Sequence, residues 1–208
     1  MKDVIVGDIH LDNKNGDRNF LKYQTLFFNQ LISYLKENPT RYVIFLGDIF
    51  TNKQIINVNI MDFSLNLFQT ISELCEDIIL INGNHVIYYK NSYDVDSVNV
   101  VFRNIDNLKV RLFKDYLQIE EYVFFNWRDT KEEYIELFSQ IKNPEKIKYV
   151  FGHFDLFGYM HTRFAENQNK TSLKKEDVFK FFPNLKKIVS GHYHMPQHTG
   201  GVLYAGAP

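Results

Sequence analysis

Eight side chains able to bind a cation or move a proton fall in five short groups: Asp8 with His10, Asp48, Asn84 with His85, His153, and His192 with His194. A glycine leads each group, in Gly7-Asp8, Gly47-Asp48, Gly83-Asn84, Gly152-His153 and Gly191-His192, and an apolar run precedes it. Carboxylate, amide and imidazole donors with no thiolate among them suit Mn, Fe or Zn. Seven or eight such donors are more than one ion takes. They suit two ions about 3.5–4 Å apart, which clamp the attacking and leaving oxygens of a phosphoryl centre. A lone histidine is ordinarily a polar surface residue, and a lone Gly-Asp a turn. Five glycine-led groups holding five of the seven histidines do not fit that plain explanation.

Donors spread so widely need a scaffold that gathers them. Residues 4–6 form a short apolar run ending at a glycine, the pattern of a buried strand. Phe20, Tyr23, Phe27, Leu31 and Leu35 recur at helical spacing, and Pro39 closes that helix. A second strand is expected over 42–46, a helix over 60–74 and a third strand over 78–81. Thr130 and Glu133 make a capping box that opens a helix ending near Ile141. Strands over 148–151 and 187–189 flank a helix over 173–182. Between 95 and 125 the pattern is less regular: 110–113 and 122–125 read as strands without a helix between them, and 91–96 and 163–171 as polar loops. Alternating strands and helices predict an α/β fold, a largely parallel sheet covered by helices with some antiparallel additions. In such sheets the carboxyl ends of the strands form one rim where ligands bind. Every donor group follows a strand, so all would meet there. Glycine lets the backbone turn sharply beside a crowded site.

The 208 residues suit one domain. Lys and Arg number 24 against 25 Asp and Glu, a net charge of −1, so no global field draws nucleic acid. DNA binding would rest on local basic patches, on metal, or on segments outside this sequence. Cys75 is the lone cysteine, which excludes an internal disulfide and fits a reducing cytoplasm. Three apolar residues between Asp3 and Gly7 are too few for a signal peptide. No apolar run nears the roughly 20 residues that span a bilayer. The expectation is a cytoplasmic protein without membrane contact.

Together, Gly7-Asp8-Ile9-His10, Gly47-Asp48, Gly83-Asn84-His85, Gly152-His153 and Gly191-His192-Tyr193-His194 resemble the motif series of the calcineurin-like metallophosphoesterases over nearly the whole chain. Within that superfamily the pattern is most similar to the nuclease subunits of double-strand-break repair complexes, the SbcD-like bacterial and T-even phage recombination nucleases. Leu11-Asp12, Ile49-Phe50, Tyr88-Tyr89-Lys90-Asn91 and the closing Tyr204-Ala205-Gly206-Ala207-Pro208 add to the likeness. The resemblance implies a two-sheet βα sandwich. Asp8, His10 and His194 would hold a first metal, Asn84, His153 and His192 a second, and Asp48 would bridge them. It implies two manganese ions, with Mg, Fe or Zn as substitutes, and His85 as the group that protonates the leaving oxygen. DNA is the implied substrate and an ATPase subunit the implied partner, in repair, recombination or phage replication; a homodimer is compatible. Residues 1–208 would be one nuclease domain that stops short of the further strands, the DNA-contacting cap and the ATPase-binding segment of such enzymes. The family has an acidic residue after the motif histidine where this chain has Val86, which calls into question the support around His85.

Two other readings keep the fold. One substitutes a small phosphodiester or a phosphoprotein as substrate, although Ile49-Phe50-Thr51-Asn52 stands where protein phosphatases carry Asp-Arg-Gly. The other is a weakly active or non-catalytic scaffold, although such relatives lose ligands and none is missing here. Trp127 is read as packing in the core or lying beside the site. His161 and His198 are read as exposed, and Lys170, Lys174, Lys175, Lys186 and Lys187 as solvated.

Overall fold

The computed structural model describes residues 1–89 and 92–208. Its first half is a repeated strand–helix unit: β1 (Lys2–Val6), α1 (Arg18–Glu37), β2 (Thr40–Phe45), α2 (Val58–Ser72) and β3 (Cys75–Leu80). The Asp17 side chain opens α1 by accepting the N–H groups of Asn19 and Phe20, and the helix stops at Asn38 before Pro39. An antiparallel hairpin of β4 (Ile87–Tyr89) and β5 (Ser92–Asp96) follows, then α3 (Ser97–Phe102) and β6 (Val110–Arg111). Strands β1, β2, β3 and β6 form a parallel sheet in that order.

The second half contains β7 (Tyr116–Ile119), β8 (Tyr122–Phe125), α4 (Lys131–Ser139), β9 (Tyr149–Gly152), the hairpin of β10 (Met160–Thr162) and β11 (Ala165–Glu166), α5 (Lys175–Phe181), β12 (Lys187–Ser190), β13 (Gln197–Thr199) and β14 (Val202–Tyr204). Its sheet runs β13-β14-β12-β9-β8-β7, parallel through the centre and antiparallel at both edges.

Strand alternation divides the core into layers. On β2, Val43 and Phe45 pack toward α1 and α2, while Tyr42 and Ile44 face the other sheet. On the second sheet Val123, Val150 and Ile188 pack toward α4 and α5, while Phe124, Phe151 and Val189 face inward. The middle layer is aromatic, with Phe124 and Phe151 stacked at 4.8 Å. Two sheets face to face with helices outside give the expected α/β two-sheet sandwich.

The central strands and long helices lie where the periodicity places them, and the Thr130–Glu133 capping box opens α4. Three local expectations are corrected. Residues 92–96 are a strand rather than a loop; the hairpin partner β4 overrides the poor strand propensity of Asp94 and Asp96. Asn91, in the same expected loop, and Lys90 lie outside the described residues. Part of 163–171 pairs as β11, a strand of two residues too short to show a period. The helix expected over 173–182 spans Lys175–Phe181, because buried Leu173 bridges to Leu156 instead. No described helix is long and apolar enough to cross a membrane.

Candidate metal centre

The five glycine-led groups occupy the turns after β1, β2, β3, β9 and β12, at the carboxyl rim shared by both sheets. Neighbouring turns hold one another. His10 N–H donates to the Asp48 carbonyl at 2.9 Å and Leu11 N–H to the Ile49 carbonyl at 2.8 Å. The Asp8 carboxylate accepts the His192 N–H at 2.9 Å, and the Asp48 carboxylate accepts the His85 N–H at 3.0 Å. Each carboxylate is thus oriented by the backbone of another donor group.

His10, Asp48 and His192 adopt positive φ of 44°, 43° and 83°. L-residues seldom take this left-handed conformation, and such strain gathers at functional sites. Gly47 also has a positive φ, but at Gly191 the requirement is close approach. A Cβ on Gly191 would overlap the Asp8 carboxylate and the Leu46 carbonyl. The glycine pattern therefore records crowding around the donors as much as turning.

The side chains converge. Asp8, His10 and His194 offer donor atoms within 4.8 Å of one another, as do Asp8, Asp48 and His153. Asp8 belongs to both groups, although the resemblance gives it only to the first metal. His153 Nδ1–H donates to the Leu46 carbonyl at 2.9 Å, which turns Nε2 toward Asn84 Oδ1 and Asp48 Oδ2, each at 3.2 Å. His10 Nδ1 lies 3.2 Å from Thr51 Oγ1, and its Nε2 meets His194 Nε2 at 3.2 Å. His192 Nε2 faces Asp155 at 3.7 Å. All seven expected ligands lie in this cluster, with exposed His85 at its edge, its ring 5.2 Å from that of His10.

Burial makes the cluster electrostatically unusual. Asp8 and Asp48 are each 2% exposed, and His153 is fully buried. Burial raises the Asp8 carboxyl, and the nearby Asp48 charge raises it further. Burial opposes ionisation of Asp48 too, but the His153 imidazole outweighs it and holds this carboxyl below its ordinary range. For His153 burial disfavours the cation, yet the flanking Asp48 and Asp8 charges win and lift it to about 9. His10 is pushed down to about 4 by burial, with the neighbouring histidines adding to the effect. Burial also lowers His192. Neutral His10 and His192 can offer a lone pair at neutral pH. Two buried carboxylates beside them supply the negative charge that divalent cations need, and the oxygen and nitrogen donors fit Mn, Mg, Fe or Zn.

Three contributors lie outside the eight donors, although Asp12 belongs to the Leu11-Asp12 pair that follows the first motif. Asp155 accepts from Tyr193 Oη at 2.5 Å, Ser172 Oγ at 2.9 Å and Asn167 Nδ2 at 3.1 Å. Burial opposes its charge, but His192, Tyr193 and Ser172 outweigh that and hold it down to about 2. Its signal was its place two residues beyond His153. Asp12 is buried and accepts the N–H groups of Thr51 and Asn52. Thr51 in turn reaches both His10 and His85. Val86 is fully buried in the apolar layer under α1 and α2, so its side chain faces away from the site. Trp127 lies beside the site, its ring 5.1 Å from His192 and 5.9 Å from His153. His161, His198, Lys170, Lys174 and Lys186 are exposed, and Lys186 and Lys187 sit at the end of β12 remote from the rim.

A two-sheet sandwich with Asp, Asn and His donors on its carboxyl rim is a metallophosphoesterase layout. Residues 1–196 match the family described as calcineurin-like phosphoesterase, and the chain belongs to that family. Exonuclease subunit 1 of Enterobacteria phage T4 is 26% identical over 210 residues, covering 100% of this chain. The chain spans 59% of that relative's length. Among solved structures, phosphopantetheinyl hydrolase from Mycobacterium tuberculosis shares the fold with a TM-score of 0.53 at 12% identity, over 100% of this chain and 90% of the other. The Pseudomonas putida nuclease MPE aligns with a TM-score of 0.40 at 15% identity, over 62% of this chain and 55% of that one. Family membership makes the chain a phosphoesterase-type hydrolase that works with divalent metal.

Proposed function

We propose that this chain is the catalytic domain of a two-metal DNA nuclease. It would work with manganese and with an ATPase subunit, in DNA repair, recombination or phage replication in the cytoplasm of a bacterium or infected host. The observation that carries the reading is the full donor set gathered from five turns, with an exposed histidine at its edge. The choice of DNA draws on the similarity to the phage exonuclease subunit. In this reading His10, Asp8 and His194 would hold one cation, Asn84, His153 and His192 the other, and Asp48 would serve both.

When bound, the two cations lower the pKa of a water and neutralise the phosphoryl oxygens. The chain's own side chains supply the rest. Leu46 and Thr51 fix the ring orientations of His153 and His10. The His192 and His85 amides hold the two carboxylates so that they do not rotate away. Trp127 lies along one side of the site, its ring 5.1 Å from that of His192. His85 stands outside the buried donors and gives its proton to the departing oxygen, a role worth about 10²–10⁴-fold in rate. The scaffold alternative lacks a missing donor to support it.

The test is hydrolysis of end-labelled linear DNA by the chain with Mn, run beside a chromogenic phosphodiester. Metal-dependent cleavage of both is expected, abolished by Asp48→Ala. Cleavage of the small ester with DNA left intact would overturn the choice of DNA.

A further inference from the structure

We infer that Thr51, pinned by Asp12, is the positioning residue that sets the ring orientation and tautomer of His85, in place of an acidic side chain. The inference rests on the reading of His85 as proton donor. Val86 is buried in the apolar layer and offers His85 nothing polar. The His85 Nδ1 instead lies 3.2 Å from the Thr51 carbonyl. A carbonyl oxygen only accepts, so Nδ1 must carry the hydrogen. Nε2 is then left as the nitrogen that can carry the transferable proton. In the imidazolium form Nε2 holds the proton to be given away, and after transfer it keeps the lone pair. The product is the same tautomer that the carbonyl already favours, so the ring need not turn between cycles.

A loop carbonyl can hold a ring only if the loop is held. The 6%-exposed Asp12 does this, one carboxylate oxygen accepting the Thr51 N–H and the other the Asn52 N–H at 2.8 Å. Bidentate capture of two successive amides by a buried charged group fixes the peptide plane that carries the carbonyl. The Thr51 side chain serves a second histidine: Oγ1 lies 3.2 Å from His10 Nδ1 and leaves His10 Nε2 to face His194. One residue thus orients a cation ligand through its hydroxyl and the proton donor through its backbone. These two duties can be separated by mutation.

Asp12→Asn keeps the shape but turns an NH₂ toward one of the two amides. Thr51→Val removes the hydroxyl and keeps a stiff β-branched backbone. Thr51→Gly removes the hydroxyl and frees the backbone. The first readout is the ¹⁵N spectrum of the His85 ring in the metal-free chain at a pH where it is neutral. We expect an Nδ1–H tautomer in the parent and in Thr51→Val, and a shift toward Nε2–H in Asp12→Asn and Thr51→Gly. The second is kcat at saturating Mn on oligothymidylate and on bis(4-nitrophenyl) phosphate, whose leaving group needs no proton. Asp12→Asn should slow the oligonucleotide by about 10–100-fold, as for other outer-sphere orienting groups, and the nitrophenyl ester by much less; Thr51→Gly should show the same substrate bias relative to Thr51→Val, which shares its lost hydroxyl. An Nε2–H tautomer in the parent chain, or an unchanged tautomer in both loosened variants, overturns the inference. His85→Asn runs in parallel. If it shows no leaving-group bias, the proton-donor reading fails. If it shows the bias and the loosened variants do not, only the positioning role fails. Should Asp12→Asn not fold, Thr51→Gly decides alone.

Discussion

Replacing Asp155 by Asn should weaken one cation position and spare the other. The Asp155 carboxylate takes hydrogen bonds from Tyr193, Ser172 and Asn167 and faces His192 Nε2 at 3.7 Å. The carboxylate opposite Nε2 favours a proton on that nitrogen of neutral His192, which would leave Nδ1 for a cation. The replacing amide would retain one acceptor oxygen, lose the charge, and present an NH₂ to hydroxyls that now donate. A hydrogen bond to a charged group contributes about 1.5–3 kcal/mol against about 1 for a neutral pair. The difference is about 0.5–2 kcal/mol, or roughly 2- to 30-fold in affinity. With 38% of the side chain exposed, solvent screens the charge. We therefore expect a loss of about tenfold, at the low end for residues that orient metal ligands. The assay is calorimetric titration with Mn of the parent chain, Asp155→Asn and Asp155→Glu. The weaker binding step should shift by about tenfold in the Asn variant, partly recover in the Glu variant, and leave the other step in place. Equal weakening of both steps, or none, would refute the assignment of Asp155 to the His192 side.

Two further outcomes follow from the buried polar groups. Fully buried Tyr204 donates to the Phe154 carbonyl at 2.9 Å and accepts the Leu156 N–H at 3.2 Å, so Tyr204→Phe strands two backbone groups. At about 1–3 kcal/mol for each unsatisfied group, urea denaturation should show a loss of about 2–6 kcal/mol, and a loss under about 0.5 kcal/mol would contradict the bonding. Metal uptake should expel a proton. His153 is lifted to about 9 without metal, so at about pH 7.5 it is protonated and must deprotonate to bind, whereas His10, lowered to about 4, is already neutral. Titrations in buffers of different ionisation enthalpy should show release of about one proton from this group, falling away as the pH rises past about 9. No release at neutral pH would contradict the His153–Asp48–Asp8 charge arrangement.

The sites of the donors were legible because chemistry and topology coincide in this fold. A ligand at the end of a parallel strand sits just after an apolar run, and the crowding there demands glycine, so Gly47-Asp48 and Gly191-His192 carry both signals in adjacent letters. The β1-α1-β2-α2-β3 stretch was legible for a related reason, since buried parallel strands are continuous apolar runs and α1 and α2 each bury one face. The hairpins were not. β5 and β11 exist through pairing with β4 and β10, and neither has a period of its own to display. The orienting residues were hidden in the same way. Thr51 and Asp155 act through partners 34 and 37 positions away, and the one local mark is the place of Asp155 two residues beyond His153. Val86 looked like a defect in the motif and is a packing residue, and the polar contact of the His85 ring is with the Thr51 carbonyl instead.

Mn stoichiometry measured on the parent chain and on Asp48→Ala decides whether the site pairs two cations with Asp48 shared between its halves. Asp48 Oδ2 lies 3.2 Å from His153 Nε2 and 3.9 Å from His10 Nε2, within reach of both donor groups. Two Mn per parent chain are expected, with both binding steps weakened together in Asp48→Ala while the metal-free fold remains intact. A single Mn in the parent chain, unchanged in Asp48→Ala, would contradict it.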